Sequence, residues 1–158
     1  MILGIDPGLE NTGWGIINHQ SSTDNYQLID CGVILTNNKD KSEVRLEKIF
    51  EEIQEIIKKY AIDEVAMESL FFAKNVRSAM AVAQAIGVIK VAAKNLDKEV
   101  FEYTPLQIKV ALVGYGRAEK EQVEIMVRDC LNLEEPISPS HASDAVAAAL
   151  THGFTMKM

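Results

Sequence analysis

Met1–Ile17, MILGIDPGLENTGWGII, is the stretch from which the fold is read. Ile2 to Ile5 is an unbroken apolar run, the pattern of a strand covered on both faces. It ends at Asp6, and Pro7-Gly8 turns the chain at once. Thr12 to Ile17 returns as a second strand, where Gly13 and Gly15 admit close backbone approach. An ionised carboxylate at the mouth of a buried strand is costly unless paired, hydrogen-bonded or bound to a cation. Asp6 therefore has two readings. It is a cap of an Asp-Pro-Gly turn, or one member of a site whose partners lie further along.

Working outward, Tyr26–Leu35 reads as a third strand, reached through a polar hairpin loop, Asn18–Asn25. The chain thus opens with an antiparallel meander. From Glu43 a helix begins, with Leu46, Ile49, Phe50, Ile53, Ile56, Ile57 and Tyr60 on one stripe. Ile62–Leu70 is a fourth strand, and a strand that follows a crossover helix should lie parallel to the first. Ser78–Leu96 is a helix apolar nearly all round, which predicts a central place or cover by a second copy of the chain. Glu99–Tyr103 is a short fifth strand. Thr104-Pro105 caps and opens a short helix to about Leu112. The Gly114–Arg117 loop and a helix over Lys120–Leu131 follow. Ser140 is placed to cap a last helix, His141–His152. The expected architecture is α/β: a mixed five-stranded sheet, strands 1–3 antiparallel and strands 1, 4 and 5 parallel, with helices on both faces.

A length of 158 residues predicts one domain, 1–158, with room for a sizeable core. No apolar run is long enough to cross a bilayer, and no basic leader precedes the first strand. Cys31 and Cys130 lack metal-ligand spacing and read as reduced thiols, which suits a cytoplasmic setting. The net charge of −7 is unevenly spread. Residues 70–128 hold nine basic and six acidic side chains, so this part is +3 and the remainder −10. Glu43, Glu47, Glu51, Glu52 and Glu55 put much of the acid on one helix, facing solvent. A phosphate-binding face is thereby permitted.

Two further elements carry the acids that answer Asp6. Glu68 lies near the end of the fourth strand, parallel to the first, so both side chains can emerge at one sheet edge. Ligand sites in open α/β sheets favour such carboxyl ends. His141 and Asp144 are three apart and share a face of the last helix's first turn. Ala145, Ala147, Ala148 and Ala149 are small and let that helix lie close to the sheet. Several carboxylates and an imidazole around one point suit Mg²⁺ or Mn²⁺. Taken singly, Glu68 reads as a surface glutamate, Asp144 as a helix-dipole partner and His141 as a first-turn polar residue.

GIDPGLENTGWGI, ESLFFAKN, VGYGRAEKEQV and HASDAVAAALTH, in that order and spacing, resemble the motifs of the RuvC family, the bacterial Holliday junction resolvases. The resemblance runs from the first strand to the last helix. It implies a ribonuclease H-like fold and a homodimer. It also implies Mg²⁺-dependent endonucleolytic cutting of two symmetry-related strands of a four-way junction, in recombination and repair. By position Asp6, Glu68 and Asp144 correspond to the family's acidic metal ligands. His141 stands where many members carry aspartate, and either binds metal or orients the attacking water. The chemistry to expect is hydrolysis leaving 5′-phosphate ends, with two Mg²⁺ ions about 3.5–4 Å apart and Mn²⁺ able to substitute. Asp6 would bridge the ions, with Glu68 on one side and Asp144 on the other. A branch-migration complex of RuvA and RuvB is the implied protein partner.

Phe71 and Phe72 follow the Glu68 strand, with Lys74 and Arg77 close behind. Adjacent aromatics beside cations suit stacking on an unpaired base or wedging a junction open, though one of the two is as readily core. The resemblance favours Phe71 as the base contact. Lys109 and Lys120 match family basic residues near the active site, and Arg117 lies in the glycine loop between them. Each is otherwise a solvated charge. Two further classes share features of the chain. Actin-like ATPases use a similar Asp-x-Gly turn but need a second lobe, and a non-catalytic junction-binding module would keep the shape without the chemistry.

Overall fold

The computed structural model describes residues 1–20, 25–70 and 76–156, and within these the side chains of all but 20 and 76–78. Its strands are β1 (Ile2–Asp6), β2 (Asn11–Gln20), β3 (Asn25–Leu35), β4 (Glu64–Glu68) and β5 (Glu99–Tyr103). They form one sheet in the order β3-β2-β1-β4-β5. β1–β2 and β2–β3 pair antiparallel, while β1–β4 and β4–β5 pair parallel. The mixed five-stranded sheet is the one expected. The helices are α1 (Ser42–Lys59), α2 (Val76–Lys94), α3 (Pro105–Val113), α4 (Lys120–Cys130) and α5 (Ser140–Thr155).

Alternation along β1 divides the core into two. Leu3 and Ile5, with Ile16 and Ile34, face α1 and α2, where Ile49, Ile53, Ile57 and Ile89 are buried against them. The opposite face meets α5, α3 and α4 through Ala148, Ala149, Leu150, Ile108 and Val127. Here the approach is close. A Cβ on Gly4 would overlap the carbonyl oxygen of Ala145, and one on Gly13 would overlap that of His141. Glycine is required at both, because the backbone of α5 lies directly on β1 and β2.

Several boundaries differ from expectation. β4 stops at Glu68 rather than Leu70, because β5 offers no partner beyond Tyr103; the last link is Ser69 N–H donating to the Tyr103 carbonyl at 2.8 Å. Ser140 does not cap α5. Pro139 occupies that position, no side chain caps the helix, and the Pro139 carbonyl accepts from Ala142 N at 3.0 Å. The helix thus begins one residue early, and Ser140 is its first residue. Thr104 does cap α3, in a reciprocal box with Gln107. Met80 and Val91, 64 % and 55 % exposed, leave an apolar stripe on α2.

Candidate metal centre

The register of β1 on β4 builds the site. Ile5 pairs with Met67, so Asp6 and Glu68 leave the sheet side by side at its carboxyl edge. The turn after Asp6 is tied down by buried Thr12, whose hydroxyl donates to the Gly8 carbonyl at 2.6 Å. α5 then crosses this edge with its first turn. His141 Nδ1 lies 2.7 Å from Asp6 Oδ2, and since a carboxylate only accepts, Nδ1 carries the proton. Asp6, His141 and Asp144 each offer a ligand atom, all within 4.8 Å of one another. Glu68 stands apart from that trio but lines a cleft of about 260 Å³ with Asp144, Lys109, Lys120, Pro105 and Ile108.

The electrostatics are those of massed acid awaiting positive charge. Burial pushes Glu68 up to about 7, and the charges of Asp6 and Asp144 add to the effect; Lys120 opposes it. Asp6 is also raised, first by burial and then by Asp144, with the His141 hydrogen bond offsetting part. Lys120 Nζ donates to Asp144 Oδ2 at 2.7 Å. Burial draws the Lys120 ammonium down, but Asp144, Glu124 and Asp6 outweigh it and the net shift is upward. Hard oxygen donors plus one imidazole suit Mg²⁺ or Mn²⁺ better than a thiophilic metal. Two carboxylates that resist ionisation together are what a divalent cation relieves. The donor set fits such a cation.

A family model for "Crossover junction endodeoxyribonuclease RuvC" matches residues 2–152. Among curated relatives, a crossover junction endodeoxyribonuclease RuvC of Clostridioides difficile is 46 % identical over 158 residues, all of this chain and 92 % of that protein. One from Alkaliphilus oremlandii is 45 % identical over 155 residues, 98 % of this chain and 93 % of that one. Among solved structures, T. thermophilus RuvC in complex with Holliday junction substrate superposes with a TM-score of 0.94 at 36 % identity, covering 99 % and 94 % of the two chains. The chain belongs to the RuvC family. Its sheet and helices are accordingly ribonuclease H-like, as the motifs implied.

Of the residues that carried the RuvC resemblance, the structure brings Asp6, His141 and Asp144 together, and Glu68 lines a cleft with Asp144. Lys109 and Lys120 line it as well, whereas Arg117 is exposed and is not among its lining residues. Phe71, Phe72 and Lys74 lie outside the described residues, and so does the side chain of Arg77. Two features escaped sequence reasoning. One is the Lys120–Asp144 ion pair, which joins residues 24 apart on different helices and has no local signature. The other is His152, fully buried on α5 and bonded through both ring nitrogens. An imidazole at the far end of an alanine-rich apolar stretch was the available signal.

Proposed function

We propose that this chain is a structure-specific endonuclease that cuts four-way DNA junctions, a reading supported by relatives named crossover junction endodeoxyribonuclease. The convergence of Asp6, His141 and Asp144 at one sheet edge, with Glu68 and Asp144 lining one cleft, carries the reading. These four residues would hold the divalent cations, two Mg²⁺ ions with Mn²⁺ able to substitute. Cations bound there would stabilise charge on the attacking and leaving oxygens of an in-line phosphodiester displacement and would acidify a water. The protein's own groups prepare that arrangement. Asp6 orients the His141 ring through Nδ1 and leaves Nε2 as the nitrogen for a ligand bond or a proton. Lys120 balances Asp144 and, with Lys109, places ammonium groups where a phosphate would enter. Attack of water at phosphorus with the 3′ oxygen as leaving group would break the P–O3′ bond, leaving a 3′-hydroxyl on one strand end and a 5′-phosphate on the other.

The wider assignment rests on the same cleft. A four-way junction is two-fold symmetric, so two clefts are needed, and the apolar stripe on α2, Met80 to Val91, suits the interface of a homodimer. Recombination and DNA repair are the settings for such an activity, with a RuvA–RuvB complex as the junction-moving partner. Free, half-buried Cys31 and Cys130 suit a reducing cytoplasm. The test is a synthetic four-way junction incubated with Mg²⁺ or Mn²⁺. Paired symmetric nicks with 5′-phosphate ends are expected, falling at least about 10²-fold in Asp6→Asn, by analogy with loss of one charge-stabilising group. Tight junction binding with no cutting in either metal would instead make the chain a binding module.

A further inference from the structure

α5 is fastened to the sheet at two places by histidine. At its first turn His141 meets Asp6 of β1. Three turns later, about 16 Å along the axis, His152 meets the neighbouring strands. His152 is fully buried. Its Nε2 lies 3.0 Å from Glu64 Oε2 on β4, and its Nδ1 lies 2.7 Å from the Tyr103 hydroxyl on β5. The carboxylate only accepts, so Nε2 carries the proton and Nδ1 receives the tyrosine hydrogen. The ring also stacks on Phe101 of β5, with centroids 4.4 Å apart and planes 30° from parallel. All three contacts reach β4 and β5, whereas the first-turn histidine bonds to Asp6 of β1 and lies against Gly13 of β2.

Between these fastenings α5 lies on the sheet largely through alanines against glycines, with Val146 and Leu150 its two larger buried side chains there. Small side chains allow close approach but interdigitate little, so they resist sliding and tilting less than large ones do. Directional hydrogen bonds must then fix where the helix sits. Asp144 rides on α5 and Glu68 on β4. We infer that His152 is a positioning residue for the acidic cleft: by tying the far end of α5 to Glu64 and Tyr103, it sets the gap between Asp144 and Glu68. The inference builds on the proposed cation site.

The test compares His152→Leu, which keeps the volume and removes both hydrogen bonds, with His152→Gln, which retains a donor for Glu64. Mn²⁺ affinity is read by electron paramagnetic resonance, the Asp144–Glu68 separation from a metal-free crystal structure, and folding from the thermal midpoint. His152→Leu should fold and bind Mn²⁺ about tenfold more weakly, the scale found when partners that orient metal ligands are lost. Asp144 should move by about 0.5 Å or more relative to Glu68, and His152→Gln should recover part of both. Were His152→Leu to prove unfolded, Tyr103→Phe and Glu64→Gln each remove one bond and should show smaller shifts in the same direction. A lower thermal midpoint with Asp144 unmoved and Mn²⁺ affinity unchanged would overturn the inference. Failure of the wild type to bind Mn²⁺ would count against the proposed function, while the Asp144 displacement would still decide this point.

Discussion

The two faces of the sheet bury apolar surface in different ways. Against α1 and α2 the contact is made by large branched side chains, Leu3, Ile5, Ile16, Ile34, Ile49, Ile53 and Ile89. Against α5 it is made chiefly by Gly4 and Gly13 touching helix backbone and by Ala145, Ala148 and Ala149, with only Val146 and Leu150 of α5 adding larger side chains. A branched-aliphatic layer contributes stability and tolerates small adjustments, since its side chains can repack. A glycine–alanine layer contributes less per residue, yet it leaves the helix backbone no room to move toward the sheet. The first face holds the fold together. The second places Asp144 and His141 beside Asp6.

The comparison is broken or upheld most sharply by one methyl group. In Gly4→Ala the added carbon would meet the Ala145 carbonyl, which is backbone and cannot swing aside. α5 must lift, and Asp144, one residue before, lifts with it. Junction cleavage should fall about 10²-fold, the usual scale for a misplacement of roughly 1 Å at a reacting centre. Ile53→Ala on the other face should cost about 2–5 kcal/mol of stability, read by denaturant unfolding, and leave the rate per folded molecule unchanged. If Gly4→Ala cleaved normally while Ile53→Ala slowed the folded enzyme, the division of labour would be wrong.

A smaller effect comes from protons at the α5 edge, since the buried residues of the branched-aliphatic cluster include no ionisable group. Glu68 is raised from 4.5 to about 7 in the folded protein. Between those values the folded state binds more protons than the unfolded one, so this stabilisation is full below about 4.5 and lost as pH rises through about 7. At about 1.4 kcal/mol per pH unit it amounts to about 3 kcal/mol at most, less whatever Lys120 and solvent screen. The metal-free thermal midpoint should therefore drop between pH 5 and 8. Added Mg²⁺ should restore it increasingly with pH, because the cation must displace that proton. Glu68→Gln should flatten both trends, and an undiminished slope in that variant would exclude Glu68 as their source.

How far the sequence foretold this arrangement depends on what kind of contact is involved. Strands showed themselves because Ile2 to Ile5 and Glu99 to Tyr103 are short runs between turn residues, and α1 because its isoleucines recur at helical spacing. The carboxyl-edge placement of Asp6 and Glu68 followed from one parallel pairing. The step from Thr104 to α3 was legible because a cap is a local contact. What stayed hidden was non-local and polar. Nothing near Lys120 marks Asp144 as its partner, and nothing near His152 marks Tyr103 or Glu64. The end of β4 was misjudged for a related reason: its limit is set by where β5 stops, not by its own residues.

The smallest expected effect separates the two faces by charge. Lys109 lines the cleft beside Glu68, while Lys48 is exposed on α1 against the other face. Each substitution to alanine makes the net charge one unit more negative, so a purely global electrostatic contribution would treat them alike. Contact with phosphate would not. Each phosphate neutralised releases condensed counterions and adds about one to the slope of log affinity against log salt. Junction binding followed from about 50 to 200 mM salt, with Ca²⁺ in place of the catalytic cation, should lose about one from that slope in Lys109→Ala and nothing in Lys48→Ala. Equal slopes in the two variants would assign the effect to net charge and remove Lys109 from the DNA surface, leaving Lys120 as the cation of the cleft with a defined acidic partner.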